Sequence, residues 1–243
     1  MIRFIIAVIF LIVYLVISVP VLFFTWLIGT FSKKSVDKIA LSYVTFGFQT
    51  IIRISGAEIV VKGKEKIPKE AALFIGNHRS YFDILITYVY IQRTMGYVAK
   101  KEMLRYPLLR NWMKRIHCVF LDRENPKEGL KSILEAISFI KSGISIFIFP
   151  EGTRNDGKEL SMLPFHAGSF KIAEKSGSPI VPVSLNNTAS IFENQFPAFR
   201  KSRVILEFGD PIYLSKMDRE EKKHIATYTQ EIIQKTIEKN AKE

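Results

Sequence analysis

The chain has 243 residues, enough for one large domain with its own core or for a domain plus an anchor. Lys and Arg number 35 against 23 Asp and Glu, and the net charge of +12 points to an anionic partner: nucleic acid, anionic lipid, a phosphorylated substrate or an acidic carrier protein. The single Cys118 excludes an internal disulfide and suits a reducing compartment, and 4 histidines without His-x-x-x-His or Cys-pair spacing leave no metal expected.

No charged residue lies between Arg3 and Lys33, and most positions there are Ile, Val, Leu or Phe. The segment exceeds the roughly 20 apolar residues that cross a bilayer, is too long for a signal-peptide core, and no small-residue cleavage site follows it. Pro20 removes a donor and crowds the preceding turn, which predicts a kink or break. The segment therefore either spans or bends into one leaflet. A second helix is predicted from about Ser35 to Ile54, with Val36, Ile39, Ala40, Tyr43, Val44, Ile51 and Ile54 near one face and Lys33, Lys34, Lys38 and Arg53 around it. That pattern suits an interfacial helix on an anionic membrane, and equally an amphipathic helix docked on the domain itself. The basic residues after the apolar segment favour a cytosolic location for the chain beyond Lys33, at the inner (cytoplasmic) membrane of a cell.

From Glu58 the pattern changes to short β-rich runs alternating with helices. Strands are predicted at Glu58–Lys62, Ala71–Ile75, Gly96–Ala99, Cys118–Leu121, Ile144–Phe149, Pro179–Leu185 and Arg203–Phe208. Helices are predicted at Phe82–Ile91, Glu102–Ile116, from Asn125-Pro126 to Gly143, and from Arg219 to about Lys239. Asn125 suits a cap and Pro126 the first helical position; Leu130, Ile133, Leu134, Ile137 and Ile140 form one apolar face of that helix. Ile225, Tyr228, Ile232 and Ile233 offer the last helix a packing face. Uninterrupted apolar strands alternating with helices predict an α/β fold with a largely parallel sheet flanked by helices. Residues 1–55 are expected as anchoring helices and 56–243 as the α/β domain.

Asn77-His78-Arg79-Ser80-Tyr81-Phe82-Asp83 follows a buried strand, at the edge where open α/β sheets bind ligands. Histidine is the side chain best suited to move protons near neutral pH, and a carboxylate on one ring nitrogen leaves the other as base. On one continuous helix His78 and Asp83 would lie about 140° apart, so they meet only if His78 is in the turn and Asp83 in the first helical turn. Ser80-x-x-Asp83 is also a helix-capping pattern, which leaves His78 an ordinary loop residue. Phe149-Pro150-Glu151-Gly152-Thr153-Arg154 follows another strand. Gly152 permits a tight turn, Arg154 suits a phosphate, and Glu151 either positions that arginine or bonds a substrate hydroxyl; the alternative is a solvated loop. Arg123 and Lys100-Lys101 follow two further strands. Parallel strands gather such ends on one edge.

These segments, with Val119–Arg123 and Val181-Pro182-Val183 in the same order, resemble the membrane-bound glycerolipid acyltransferases over roughly Ile59 to Pro211, and among them the bacterial enzymes that act on 1-acyl-sn-glycerol-3-phosphate. The resemblance implies transfer of a fatty acyl group from a thioester, acyl-coenzyme A or acyl carrier protein, to the 2-hydroxyl of lysophosphatidic acid. The product is phosphatidic acid for phospholipid biosynthesis, and no bound cofactor is implied. His78 becomes the general base and Asp83 its orienting partner. Arg79, Arg123, Glu151, Gly152, Thr153 and Arg154 become the acceptor site, with Arg154 on the phosphate and Lys100 a further phosphate ligand. Val181-Pro182-Val183 shapes the acyl region or is plain strand core. This chain departs from the family pattern at His117-Cys118, where glycine is common, and at His166, where lysine is common. Glycerol-3-phosphate or another lysolipid is the alternative acceptor. A non-enzymatic lipid-phosphate-binding protein gives no reason for His78 and Asp83 together. A serine hydrolase needs a Gly-x-Ser-x-Gly elbow, which is absent, and nothing in the chain reads as a nucleic-acid recognition element.

Overall fold

A computed structural model describes residues 1–243. One seven-stranded sheet is formed by β1 (Glu58–Lys62), β2 (Leu73–Gly76), β3 (Met95–Lys100), β4 (Val119–Leu121), β5 (Ser145–Ile148), β6 (Ile180–Asn186) and β7 (Arg203–Phe208), in the order β1-β7-β6-β2-β5-β3-β4. From β6 through β2, β5 and β3 to β4 every pairing is parallel. β7 is antiparallel to β6, and β1 pairs parallel with β7, so these two run the other way. The central strands are continuous apolar runs because both faces are covered: Leu73, Phe74, Ile146, Phe147, Ile180 and Val181 are fully buried.

Eight helices surround the sheet: α1 (Ile2–Gly29), α2 (Lys33–Ser55), α3 (Tyr81–Ile91), α4 (Pro107–Arg115), α5 (Pro126–Lys141), α6 (Lys171–Ser176), α7 (Arg219–Lys223) and α8 (Ile225–Asn240). Side-chain alternation along the strands divides the interior in two. Phe74, Phe147, Val181 and Val183 meet α2, α3 and α4 through residues such as Ala40, Ile86 and Trp112. Leu73, Ile75, Ile146 and Ile180 meet α5, α6 and α8 through Ala136, Ile172 and Ile233. Burying one Phe or Ile in either layer contributes about 1.5–3 kcal/mol.

Several boundaries differ from the sequence expectation for local reasons. The predicted helix at Glu102–Ile116 divides into a 3₁₀ turn at Lys101–Arg105 and α4, because Tyr106 precedes a proline and is held extended at φ −100°, ψ 98°. The helix α1 continues through Pro20 without a break: one lost rung is bridged by the turns on either side. In α5, Leu130 and Leu134 point to solvent, while Ser132, Ala136, Ile137 and Ile140 face the sheet. Small side chains let that helix approach β4, where Ser132 Oγ donates to Phe120 O at 2.8 Å. In α8, Tyr228 is exposed, and Thr229, Ile233 and Ile237 take the inner face.

The N-terminal helices are fastened to the rest of the chain. Of the two readings for α2, docking is what is seen: it packs between α1 and α3, and its Ala40, Val44 and Ile52 share the core of the sheet. An aromatic stack joins three helices, with Tyr14 on Tyr43 at 4.4 Å and Tyr43 on Trp112 at 4.5 Å between ring centroids. At the start of α1, Phe4 lies against Phe192 and Phe199. The opposite face of α1, including Ile5, Ile9, Ile12, Val16, Phe23 and Trp26, is exposed. Its length and apolar composition suit a membrane.

Candidate active site

The first motif begins where β2 stops. Asn77 is buried and continues the sheet with its side chain: its amide nitrogen donates to Leu185 O at 2.9 Å, and its oxygen accepts from Leu185 N at 2.9 Å. This fixes the exit of the chain from β2, so that His78 leaves in a turn and α3 starts at Tyr81. Asp83, the third residue of α3, is wholly buried. Its Oδ2 accepts three hydrogen bonds, from His78 Nδ1 at 2.8 Å, Arg79 N at 2.7 Å and Ser80 N at 2.7 Å. Both readings of this segment therefore hold in one geometry. Ser80 caps α3 by accepting from Phe82 N at 2.9 Å, the Asp83 carboxylate closes the capping box, and the same carboxylate holds the histidine. A carboxylate accepts only, so Nδ1 is the donor and Nε2 carries the free lone pair. The imidazole lies flat on Phe149, with 4.0 Å between centroids and 16° between planes, which fixes its second rotational freedom.

The second motif holds the first by its backbone. Glu151 is 4% exposed; its Oε1 accepts from His78 N at 2.7 Å and its Oε2 from Leu163 N at 2.8 Å. Burial pushes its carboxyl above the usual range, against the pull of those two N–H donors. The Arg154 side chain, one expected partner of Glu151, pairs with Glu193 instead, and each Glu151 oxygen accepts from a backbone N–H. Asn155 N donates to His78 O at 2.8 Å, so both peptide groups flanking His78 are tied to the loop after β5. Arg79 completes the clamp. Its guanidinium, expected at the acceptor, is buried and donates to Lys158 O at 2.9 Å and Gly157 O at 2.8 Å.

Arg154 is partly open. It lies over the Tyr81 ring at 3.7 Å, donates to Tyr81 Oη at 3.0 Å, and makes a long contact of 3.4 Å to Glu193 Oε1. Glu193 has no signature in the sequence. It comes from the turn after β6 and accepts from Ser80 Oγ at 2.7 Å and Tyr81 N at 2.8 Å, so it sits at the start of α3 and beside the arginine. Gly152 takes φ +77°, and a Cβ there would stand 2.8 Å from Arg123 Nη1, so the turn needs glycine and brings Arg123 over it. Thr153 is exposed beside them. Lys100 falls differently: it shares the strand face of Val98, toward α5, whereas His78 rests on the face of Tyr97 and Phe149. Its neighbour Lys101 pairs with Asp122 at 2.8 Å. Pro182 and its neighbours Val181 and Val183 lie in the buried strand β6.

The departures have structural roles. His117 takes φ +57°, a conformation that glycine adopts freely, and its Nε2 meets Asp37 Oδ1 on α2 at 2.8 Å. Cys118 is buried, which pushes its thiol up to about 12 and keeps it in the unreactive form.

A buried carboxylate holding an imidazole, with arginines a few residues away at the same strand ends and an apolar helix along the flank, defines a class: α/β proteins able to take a proton beside an anionic ligand at a membrane. A family model described as Acyltransferase matches residues 58–186. The 1-acyl-sn-glycerol-3-phosphate acyltransferase of Haemophilus influenzae is 32% identical over 184 residues, covering 73% of this chain and 75% of that protein. The protein of that name from Borreliella burgdorferi is 31% identical over 186 residues, covering 76% and 74%. For the Saccharomyces cerevisiae protein of that name the figures are 30% over 166 residues and 68% of this chain, which spans only 55% of its length. The crystal structure of the 1-acyl-sn-glycerophosphate acyltransferase from Thermotoga maritima superposes with a TM-score of 0.77 over 98% of each chain at 24% identity, a likeness of fold. The chain belongs to the Acyltransferase family.

Proposed function

We propose that the protein transfers a fatty acyl group from a thioester to the 2-hydroxyl of 1-acyl-sn-glycerol-3-phosphate, giving phosphatidic acid for phospholipid biosynthesis. The observation that carries this reading is the His78–Asp83 pair, with Nδ1 engaged and Nε2 free, at the same sheet edge as Arg154. His78 Nε2 takes the hydroxyl proton as the alkoxide forms a bond to the thioester carbonyl carbon. The tetrahedral oxyanion collapses, the carbon–sulfur bond breaks, and the imidazolium returns the proton to the departing thiolate. Asp83 fixes the tautomer and stabilises the imidazolium. Arg154, half-turned to solvent, holds the acceptor phosphate with Arg123; Gly152 and Thr153 frame that turn. Glu151 and Arg79 act through the loop rather than on the substrate, and Lys100 plays no direct part. The acyl donor is coenzyme A- or carrier-protein-bound, and no resident cofactor is needed.

The protein works at the cytosolic face of the inner membrane, where acceptor and product both reside. Support for a shallow position comes from α1 itself: Phe4 rests on Phe192 and Phe199 at one end, and the stretch with Leu22 and Trp26 lies beside α4 toward the other. A helix held to the domain at both ends lies along it, in one leaflet, rather than crossing. The test is acyl transfer by purified protein, with acyl-coenzyme A and acyl carrier protein each paired with lysophosphatidic acid and glycerol-3-phosphate. Transfer to lysophosphatidic acid is expected, reduced about 10²- to 10⁴-fold by His78→Ala. Transfer to glycerol-3-phosphate alone, or undiminished transfer by His78→Ala, overturns the reading.

A further inference from the structure

At the sheet edge opposite the histidine, the end of α1, the start of α2 and the end of α4 border an open groove of about 460 Å³. Element order fixes its remoteness. His117 on its wall lies two residues before β4, at the amino ends of the parallel strands, whereas His78 and Arg154 follow the carboxyl ends of theirs. The groove gathers Lys33 from α2 and Lys114 and Arg115 from α4. One acid is present, Asp37, and it is already taken by His117 Nε2 at 2.8 Å. None of the three cations has an acidic partner within ion-pair distance. Arg115 is half-buried, with Nη1 3.8 Å from where a Cβ on Gly29 would lie, so its charge faces the last turn of α1. A second groove of about 440 Å³ shares Trp26, Lys114 and Arg115 and adds Leu22 and Asn111, a trough in which Leu22 and Trp26 give the cationic floor an apolar side along α1.

We propose that this is a headgroup site for an anionic phospholipid, distinct from the acceptor site. Three cations share the site with one carboxylate and none pairs with it, so net positive charge remains that a phosphate relieves while accepting from all three. The trough and the exposed indole of Trp26 select a lipid over free phosphate, because they extend the site by an apolar wall at the depth where Trp favours the membrane interface. An occupied site sets the rotation of the domain about α1 and ties its residence to membranes carrying negative charge.

The test uses the full chain with vesicles of phosphatidylcholine alone and with phosphatidylglycerol added. Lys114→Gln with Arg115→Gln is compared with Lys127→Gln and Lys141→Gln on α5, an exposed pair that removes the same charge. The site pair is expected to weaken binding to phosphatidylglycerol vesicles about tenfold or more, the control pair about twofold, and the exchange Lys114→Arg with Arg115→Lys to keep most of the affinity. Phosphatidylglycerol retained by the wild type in neutral detergent is expected to be lost from the site pair. Equal weakening by both pairs overturns the proposal in favour of diffuse attraction. Displacement of retained lipid by inorganic phosphate at matched concentration overturns it in favour of a free-phosphate site. Thermal unfolding followed by circular dichroism checks the fold, and should the site pair not fold, the exposed Lys33→Gln alone is held to the same comparison, with Lys127→Gln as its control.

Discussion

Glu151→Gln separates two roles for the second motif. Glu151 spends one oxygen on His78 N at 2.7 Å and the other on Leu163 N at 2.8 Å, and it is almost fully buried. Glutamine puts one oxygen and one NH₂ in that place, so one backbone N–H then faces a donor. A buried N–H left without its acceptor costs about 1–3 kcal/mol. The His78 peptide is one of the two at risk, and a displaced imidazole loses part of that energy in the transition state. A share of about 1–2 kcal/mol lowers kcat roughly 5- to 30-fold. The KM for lysophosphatidic acid stays within about twofold, because no contact to the acceptor is removed. Steady-state acyl transfer with each substrate varied separately reads the split. A raised KM with unchanged kcat refutes the reasoning, since that is the mark of a lost substrate contact. Titration gives an independent check. Burial holds the folded carboxyl above its ordinary 4.5, so the folded chain binds more protons than the unfolded chain between 4.5 and the raised value. That contribution to stability is full below 4.5 and is lost as pH rises through the raised value. Melting temperatures of wild type relative to Glu151→Gln are therefore expected to fall across that window.

Arg154→Ala is expected to raise the KM for lysophosphatidic acid about 10- to 100-fold, the loss of a charged hydrogen bond worth about 1.5–3 kcal/mol, with a smaller effect on kcat; saturation kinetics measure it, and an unchanged KM removes Arg154 from the phosphate. Asn77→Ala leaves Leu185 N and O unpaired inside the sheet and should cost about 2–4 kcal/mol in denaturant unfolding. A loss well under about 1 kcal/mol would show that the turn after β2 does not depend on that amide. Gly96→Ala places a Cβ 1.9 Å from His117 O, backbone against backbone, so β3 and the turn into β4 must part. A loss on the order of 4 kcal/mol or failure to fold is expected, and a melting temperature close to wild type contradicts the close approach.

The strands are legible because burial on both faces leaves no room for polar residues, and runs such as Leu73–Ile75 and Ile146–Ile148 announce themselves. The His78–Asp83 geometry is legible from helical spacing alone: the two can meet only across a helix start, and α3 begins between them. Contacts that join distant loops are not. Asn155 reaches the site through one backbone bond and Glu193 through Ser80, Tyr81 and Arg154, each from another segment with no periodicity to betray it. Glu151 reads as a substrate or arginine ligand because a carboxylate in a strand-end loop looks available, and only the fold shows each oxygen accepting from a peptide N–H. Apolar character places Leu130 and Leu134 inward, yet close packing on β4 selects the smaller Ser132 and Ala136. The docking of α2 depends on an aromatic stack through Tyr14, Tyr43 and Trp112, three residues from three helices.

The pairing of β1 with β7 bears on how the chain is made. Glu58 stands opposite Arg203, a separation of roughly 145 residues, among the slowest kinds of contact to close. On a ribosome adding about 5–20 residues per second, β1 waits on the order of ten seconds for its only neighbour. The helices α1 and α2 emerge well before then, and α1 already carries the apolar face that a membrane accepts. The helix whose apolar face suits a lipid surface is thus made before any strand of the sheet, and the strand β1 that follows it is the last to find its neighbour.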